Sequence, residues 1–239
     1  MATEFYFPWR QVIALGGPSY GLLYNWYAST DVRNIANTGW HVSNLDDWKT
    51  LMLYLDPATE ILSDYSGSEI AGSALKETGT IYWSSPNSDA TNSVKFNGRG
   101  SGYRGYDTGF FYDEKDSGYF WLSDLVDGYG NAFIEASDGF MVASTYDDSF
   151  YVDYRKYGDS IRLVKDSTIL THGQTGTYTG NDGKVYSTIC IGTQEWLSRN
   201  LVETKYRNGD SIPEVTNDAA WIALTDGALC AYENNWDNI

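Results

Sequence analysis

Basic residues are scarce. Only 16 lysines and arginines stand against 32 aspartates and glutamates, a formal charge of −16. Nucleic-acid binding needs a basic patch that releases counterions from phosphates, so DNA and RNA are excluded as partners. Long apolar runs are missing as well. No stretch approaches the ~20 residues of a membrane-spanning helix, so no membrane insertion is expected. The opening residues, "MATEFYFPWRQVIALGG", lack the basic start and long apolar core of a secretory signal. The expectation is a chain made in the cytosol and released, if at all, by lysis or assembly. Cysteine is limited to Cys190 in "STICIG" and Cys230 in "GALCAY". Neither belongs to a CxxC pair or has a histidine nearby, which leaves two buried free thiols or one disulfide. The two histidines, His41 and His172, have no cysteine, serine or carboxylate at a telling spacing, so the case for an enzyme is thin.

Aromatic residues are abundant: 16% of the chain, with 9 tryptophans and 20 tyrosines. Such content points to aromatic anchors under long loops or to a recognition surface. "GLLYNWYA" (residues 21–28) reads as a buried strand or short helix. In "GWHVSNLDDWKTLMLYL", Asn44 and Asp47 form a capping-box-like start, and Leu45, Trp48, Leu51, Met52 and Leu55 then recur on one helical face. Pro57 lies just past the end of that helix. "YWSSPNSDATNS" and "NGRGSGYRG" read as loops. "YFWLS", "NAFIEA", "GFMVAST", "FYVDY" and "SIRLVKD" are short strand-like runs bounded by Gly or Asp, the rhythm of an antiparallel meander. Residues 167–183 read as a polar linker with turns. Beyond them "KVYSTICIG" reads as a hairpin strand, "QEWLSRNL" as a packed turn and "DAAWIAL" as a short helix. The fold class is α+β, with small antiparallel sheets, two or so helices and long aromatic-anchored loops.

These segments also resemble a family. "YGLLYNWYA", "GWHVSNLDDW", "LKETGTIYWSSPNSDATN", "GYFWLSD" and "SIRLVKD" are similar, in that order, to the later two-thirds of the Fibrobacter succinogenes major paralogous domain. "DGKVYSTICIGTQEWLSRNLVETKYRNGDSIPEV", "AAWIAL" and "GALCAYENN" resemble its opening third. The resemblance implies a C-type-lectin-like fold of the subtype shared with formylglycine-generating enzymes. It also implies kinship with variable proteins of diversity-generating retroelements in phages and gut bacteria.

In the family, the segment resembling residues 182–235 precedes the one resembling residues 20–166; here it follows. The domain reading is therefore 1–166 as the main part, 167–181 as linker and 182–239 as the segment that completes the same core. Completion is either a circular permutation within one chain or a swap between chains. The first is favoured because a long polar linker spans a domain at small entropic cost. It predicts that Ile239 ends near Gly17.

In the diversified members of such families, miscopied template adenines turn asparagine codons into codons for Tyr, Asp, Ser, Phe, Gly or Ala, but never Lys, Glu, Gln, Met or Trp. Residues 103–157 hold nine of the twenty tyrosines, with many aspartates and serines. The resemblance therefore marks Tyr106, Asp107, Tyr119, Asp124, Tyr129, Asp138, Phe140, Tyr146, Asp147, Asp148, Phe150, Tyr151, Asp153, Tyr154 and Tyr157 as variable, ligand-binding positions. Trp121, Glu135, Met141 and Lys156 lie outside what that chemistry produces. The alternative is a fixed tyrosine-rich sheet edge. Tyrosine suits binding under either reading, because its rigid ring gives contact area at low entropic cost while serine, glycine and aspartate supply adaptable polar contacts.

The functional expectation is a receptor-binding protein at the tip of a phage tail fibre, hence on the virion, with a host-surface protein or glycan as partner. The family's trimeric fibre arrangements would add avidity. Alternatives are a bacterial cell-surface adhesin or repeat protein and a glycan-active enzyme. No cofactor is expected. Asp147, Asp148 and Asp153 are oxygen donors of the kind Ca²⁺ takes, and "ENNWDN" superficially resembles a lectin calcium motif, but solvated acids are the better reading. "GSGYRG" matches a phosphate-loop pattern without the flanking strand and helix. Arg104 within it is expected instead to hold loops together through backbone carbonyls.

Overall fold

The computed structural model describes residues 19–62, 65–124, 129–135, 141–146 and 152–239. Along the chain come β1 (Leu22–Tyr24), α1 (Trp26–Ser29), β2 (Trp40–Val42) and α2 (Leu45–Leu55). β3 (Glu60–Ile61), β4 (Tyr65–Ser68) and α3 (Ala71–Leu75) lead into a long loop. β5 (Ser101–Arg104), β6 (Phe111–Glu114), β7 (Ser117–Trp121), β8 (Tyr129–Glu135) and β9 (Met141–Tyr146) follow. A 3-10 turn (Val152–Lys156) and β10 (Leu163–Lys165) come next. The last third supplies β11 (Thr175–Thr179), β12 (Val185–Ile191), β13 (Gln194–Leu197), α4 (Asp218–Ile222) and β14 (Leu229–Ala231).

The architecture is α+β: small, mostly antiparallel sheets with few and short helices. Seven strands form one sheet in the order β3-β4-β9-β8-β7-β5-β6, five form a second in the order β11-β12-β13-β10-β2, and β1 pairs with β14. The pairing of β5 with β7 is parallel, at Gly102 and Gly118. Residues on either side of the stretch 167–174 share sheets: Leu22, Leu23 and Tyr24 pair with Ala231, Cys230 and Leu229, and Val164 pairs with Trp196. The Tyr20 amide donates to the Asn238 carbonyl at 2.6 Å, which brings the two ends of the described chain together. Gly17 itself lies outside the described residues.

α2 forms where its capping signal stands. The Asn44 side chain accepts from the Asp47 amide, the Asp47 side chain accepts from the Asn44 amide, and the helix buries Leu45, Trp48, Leu51 and Met52. Trp48 meets Trp196 at 4.9 Å, Phe120 at 5.4 Å and Phe96 at 5.8 Å between ring centroids, so helix, loop and both large sheets share one aromatic nucleus. Fully burying each such ring stabilises the fold by about 2–3 kcal/mol. Loops are pinned by indole N–H groups: Trp83 donates to the Gly98 carbonyl, Trp121 to that of Tyr24 and Trp221 to that of Lys156.

Four elements differ from the sequence reading. "SGYR" is strand β5, because Gly102, at φ +57, lets the chain thread between two neighbours. "FYVDY" contributes to a 3-10 turn, and "QEWL" is strand β13, joined to β12 through Gly192 at φ +61. The polar stretch read as linker supplies β11, whose five residues pair with β12 at the sheet edge, where threonines tolerate solvent on one face. Cys190 and Cys230 are buried free thiols, and burial pushes the Cys230 thiol up to about 12.

His41 on β2 bridges two carboxylates, with Nδ1 2.7 Å from Asp166 and Nε2 3.0 Å from Asp47. Both contacts are hydrogen bonds only when both ring nitrogens carry protons, so the geometry selects the imidazolium, and the bond to Asp47 leads in raising the His41 pKa. The unfolded imidazole titrates near ~6.5. The folded state therefore binds more protons above that point, and this contribution is complete below pH ~6.5 and lost as pH rises through the higher folded value. Urea denaturation from about pH 6 to 9 should show a falling midpoint that His41→Gln flattens; an unchanged pH slope in the variant would refute the assignment.

Candidate functional site

Three separated segments deliver tyrosines to one place. β5 gives Tyr103, β6 gives Tyr112 and β7 gives Tyr119; the β5–β6 turn adds Tyr106, and the 3-10 turn and its end add Tyr154 and Tyr157. Strand alternation explains the first three. On β5 the buried Arg104 points away from the face that carries Tyr103, and on β7 the half-buried Tyr119 alternates with buried Phe120. Tyr103 stacks on Tyr112 with centroids 5.3 Å apart and meets Tyr119 and Tyr157 edge-on at 5.1 and 5.4 Å. Tyr106 meets Tyr154 at 4.7 Å and Tyr157 at 4.9 Å. Edge-to-face ring pairs of this kind add about 0.5–1.5 kcal/mol each beyond burial. The result is a continuous, half-buried aromatic face with little rotamer freedom.

Aspartates rim the face. The Tyr119 hydroxyl donates to Asp113 at 2.8 Å, and Asp113 and Asp107 are exposed. Asp159 is buried behind the rings. Burial first, then Asp113, pushes the Tyr103 hydroxyl up to about 12; burial followed by the bond to Asp113 raises Tyr119 further. Burial also raises Tyr157. The hydroxyls therefore stay protonated as donors across physiological pH.

Of the fifteen positions expected to vary, Tyr106, Tyr119, Tyr154 and Tyr157 meet in this cluster, with Asp107 at its rim. Asp124 does not join them. Its carboxylate accepts from the Leu45 amide and so completes the N-terminus of α2. Tyr129 and Tyr146 face each other across the β8–β9 pair, and Asp153 lies in the 3-10 turn, each described through the backbone alone. Asp138, Phe140, Asp147, Asp148, Phe150 and Tyr151 lie outside the described residues. Tyr103, Tyr112 and Asp113 belong to the face but were not among the expected positions. They reach it through the pairings of β5 with β6 and β7, which no local pattern specifies. Of the four residues expected to stay outside the diversification spectrum, Trp121 and Met141 are fully buried, Lys156 is half-buried in the 3-10 turn, and Glu135 on β8 is described through its backbone alone.

Arg104 holds loops together from behind the face. Its Nε donates to the Gly109 carbonyl, and its terminal nitrogens donate to the Val215 and Thr216 carbonyls and to Asp218. "ENNWDN" is engaged in turn-making: Asn234 donates to the Thr216 carbonyl, Trp236 donates to Glu214 and Asn235 caps the final turn. Among the described residues, no group of three or more His, Cys, Asp or Glu could hold a metal ion, and no helix is long and apolar enough to cross a membrane.

An α+β protein with a rigid tyrosine face is thus defined. The model of the Fibrobacter succinogenes major domain family matches residues 12–165, and the chain belongs to that family. No match was found among curated proteins or among solved structures.

Gly102 sets the spacing of this face. A Cβ there would lie 2.0 Å from the Tyr112 carbonyl oxygen, on a backbone already in the left-handed region. Gly102→Ala should cost about 3 kcal/mol of stability, from strain and forced strand separation. An unfolding free energy from urea denaturation within about 0.5 kcal/mol of wild type would contradict the close β5–β6 approach that stacks Tyr103 on Tyr112.

Proposed function

We propose that this protein is a ligand-binding protein whose recognition surface is the tyrosine face. It acts by binding rather than by turnover. The scaffold is read as C-type-lectin-like, with a fixed core and a surface open to change, and the residues are read as diversified by a retroelement. The setting proposed is the tip of a phage tail fibre carried on the virion, in homotrimers whose repeated sites add avidity, with a protein or glycan of the host surface as receptor.

The observation that carries this reading is the meeting of four expected variable tyrosines with Tyr103 and Tyr112 in one preorganised cluster. Rings held against each other lose little entropy when a partner lands on them, which is how aromatic-rich paratopes gain affinity. The placement of two of the four residues outside the diversification spectrum supports it too. Trp121 and Met141 sit in the core, while Tyr106 and Asp107 sit at the surface, so change at the second pair leaves the packing of the first intact.

Probing a glycan and host-protein array with the purified full chain should give a ligand whose affinity falls about tenfold or more in Tyr106→Ser with Tyr154→Ser, two residues within the diversification spectrum. Binding unaffected by that double variant would move the site elsewhere and sink the reading. The diversification claim has its own test: a near-copy of the codons for Tyr103 to Asp166, with adenines at the fifteen positions, beside a reverse-transcriptase gene. Its absence from the flanking DNA would refute diversification while leaving binding intact.

A further inference from the structure

We propose that the partner presents a cationic segment, a basic peptide stretch with exposed lysine or arginine, to the half of the tyrosine face formed by Tyr103, Tyr112, Tyr119 and Asp113. This deepens the binding function proposed above and rests on it. Three observations converge. The first is the sign of the surroundings. The charged groups acting on the Tyr103, Tyr119 and Tyr157 hydroxyls are Asp107, Asp113 and Asp159. With all three hydroxyls kept protonated, the rings themselves add no charge. Among the described bases of these elements, Lys156 is half-buried at the end of the 3-10 turn. Arg155 lies over the Trp26 ring, 4.6 Å from its centroid, and Lys115 is half-buried in the β6–β7 turn.

The second is chemistry the protein already uses. Arg33 sits 4.1 Å over the Tyr206 ring and bonds to Asp31 beside it, and Arg99 sits 3.8 Å over Tyr82 while bonding Glu77. A tyrosine ring with an adjacent carboxylate is thus a guanidinium seat made twice within this fold. The tyrosine face repeats that pairing, with the exposed Asp113 carboxylate bonded to Tyr119 and the rings of Tyr103 and Tyr112 beside it. A ring face attracts a cation through its quadrupole, by about 0.5–1 kcal/mol at an exposed site and more once desolvated, and the carboxylate adds a charge-assisted hydrogen bond. Tyr112 and Asp113 also lie on β6, the last strand in the order of the seven-stranded sheet, and both are exposed.

The third is permanence. Of the four residues of this half, Tyr103, Tyr112 and Asp113 are outside the fifteen positions expected to vary and Tyr119 is among them, so the carboxylate and two of the three rings would persist while Tyr119 and its neighbours refine the choice of partner. A chain with formal charge −16 also steers basic partners towards itself over distance, which raises the association rate.

The test uses the full chain on a biosensor with a synthetic peptide of alternating lysine and glycine, its fully acetylated counterpart, and whatever ligand the array identifies. The lysine peptide should bind, the acetylated one should bind at least tenfold more weakly, and Asp107→Asn with Asp113→Asn should weaken binding about tenfold. Glu60→Gln with Glu69→Gln makes the same change in net charge near the opposite sheet edge and should leave binding unchanged. Equal loss in both double variants would mean that overall acidity alone attracts the peptide, and would overturn the proposal. An array ligand held through Tyr106 and Tyr154, with no binding of the lysine peptide, would overturn it too while the binding function stands. Failure of every ligand would overturn both.

Discussion

Two fully buried arginines hold this fold together, and neither relies on a buried carboxylate to do so. Arg162 lies over Phe96 at 4.1 Å and donates to Asn200 Oδ1 and to the carbonyls of Phe96, Asn97 and Leu197 at 2.8–3.0 Å. Arg104 donates to carbonyls of Gly109, Val215 and Thr216, with the half-exposed Asp218 as its one acidic partner. A guanidinium removed from water is costly unless its donors are met. Here the acceptors are mostly backbone carbonyls, which would themselves be left unsatisfied if the cation were gone. Each arginine also joins residues before position 166 to residues after 182, so the long irregular loops and the last third of the chain are fixed to the same points.

That arrangement explains how so little regular structure supports a stable tyrosine face. Tyr103 and Arg104 are consecutive on β5, one facing the surface and the other fixed in the interior. Gly158 exchanges backbone hydrogen bonds with Arg104, which places Tyr157 against Tyr103 and Tyr106. The rings therefore inherit their positions from a buried polar network rather than from one another alone. Such a scaffold leaves outward side chains free to differ without disturbing what holds them.

How much of this was legible in the sequence depended on the range of the interaction. α2 was readable because Asn44 and Asp47 lie three residues apart and signal locally; so was the β7–β9 meander, with its Gly and Asp boundaries. The 3-10 turn at Val152–Lys156 was not, since its alternating rings mimic a strand until Tyr154 and Tyr157 are seen to pack on Tyr106. Asp124 reads as a variable, ligand-binding position, yet its partner is the amide of Leu45, 79 positions away. β5 was hidden by its glycines, which look like a loop but permit close passage between two strands. The tyrosine enrichment was plain in composition, whereas the meeting of Tyr103, Tyr112 and Tyr119 depends on strand pairing that no local pattern specifies.

The central claim is that the two parts of the chain form one cooperative unit, pinned by the buried arginines. Amide hydrogen exchange on the full chain and on Arg162→Met measures this most directly. The account predicts a common opening free energy for β1, β10, β13 and β14, falling together by about 3 kcal/mol in the variant as orphaned carbonyls lose their donor. Exchange of β13 and β14 at a lower free energy than β1 and β10, or a loss in Arg162→Met confined to the loop at Phe96 and Asn97, would contradict it.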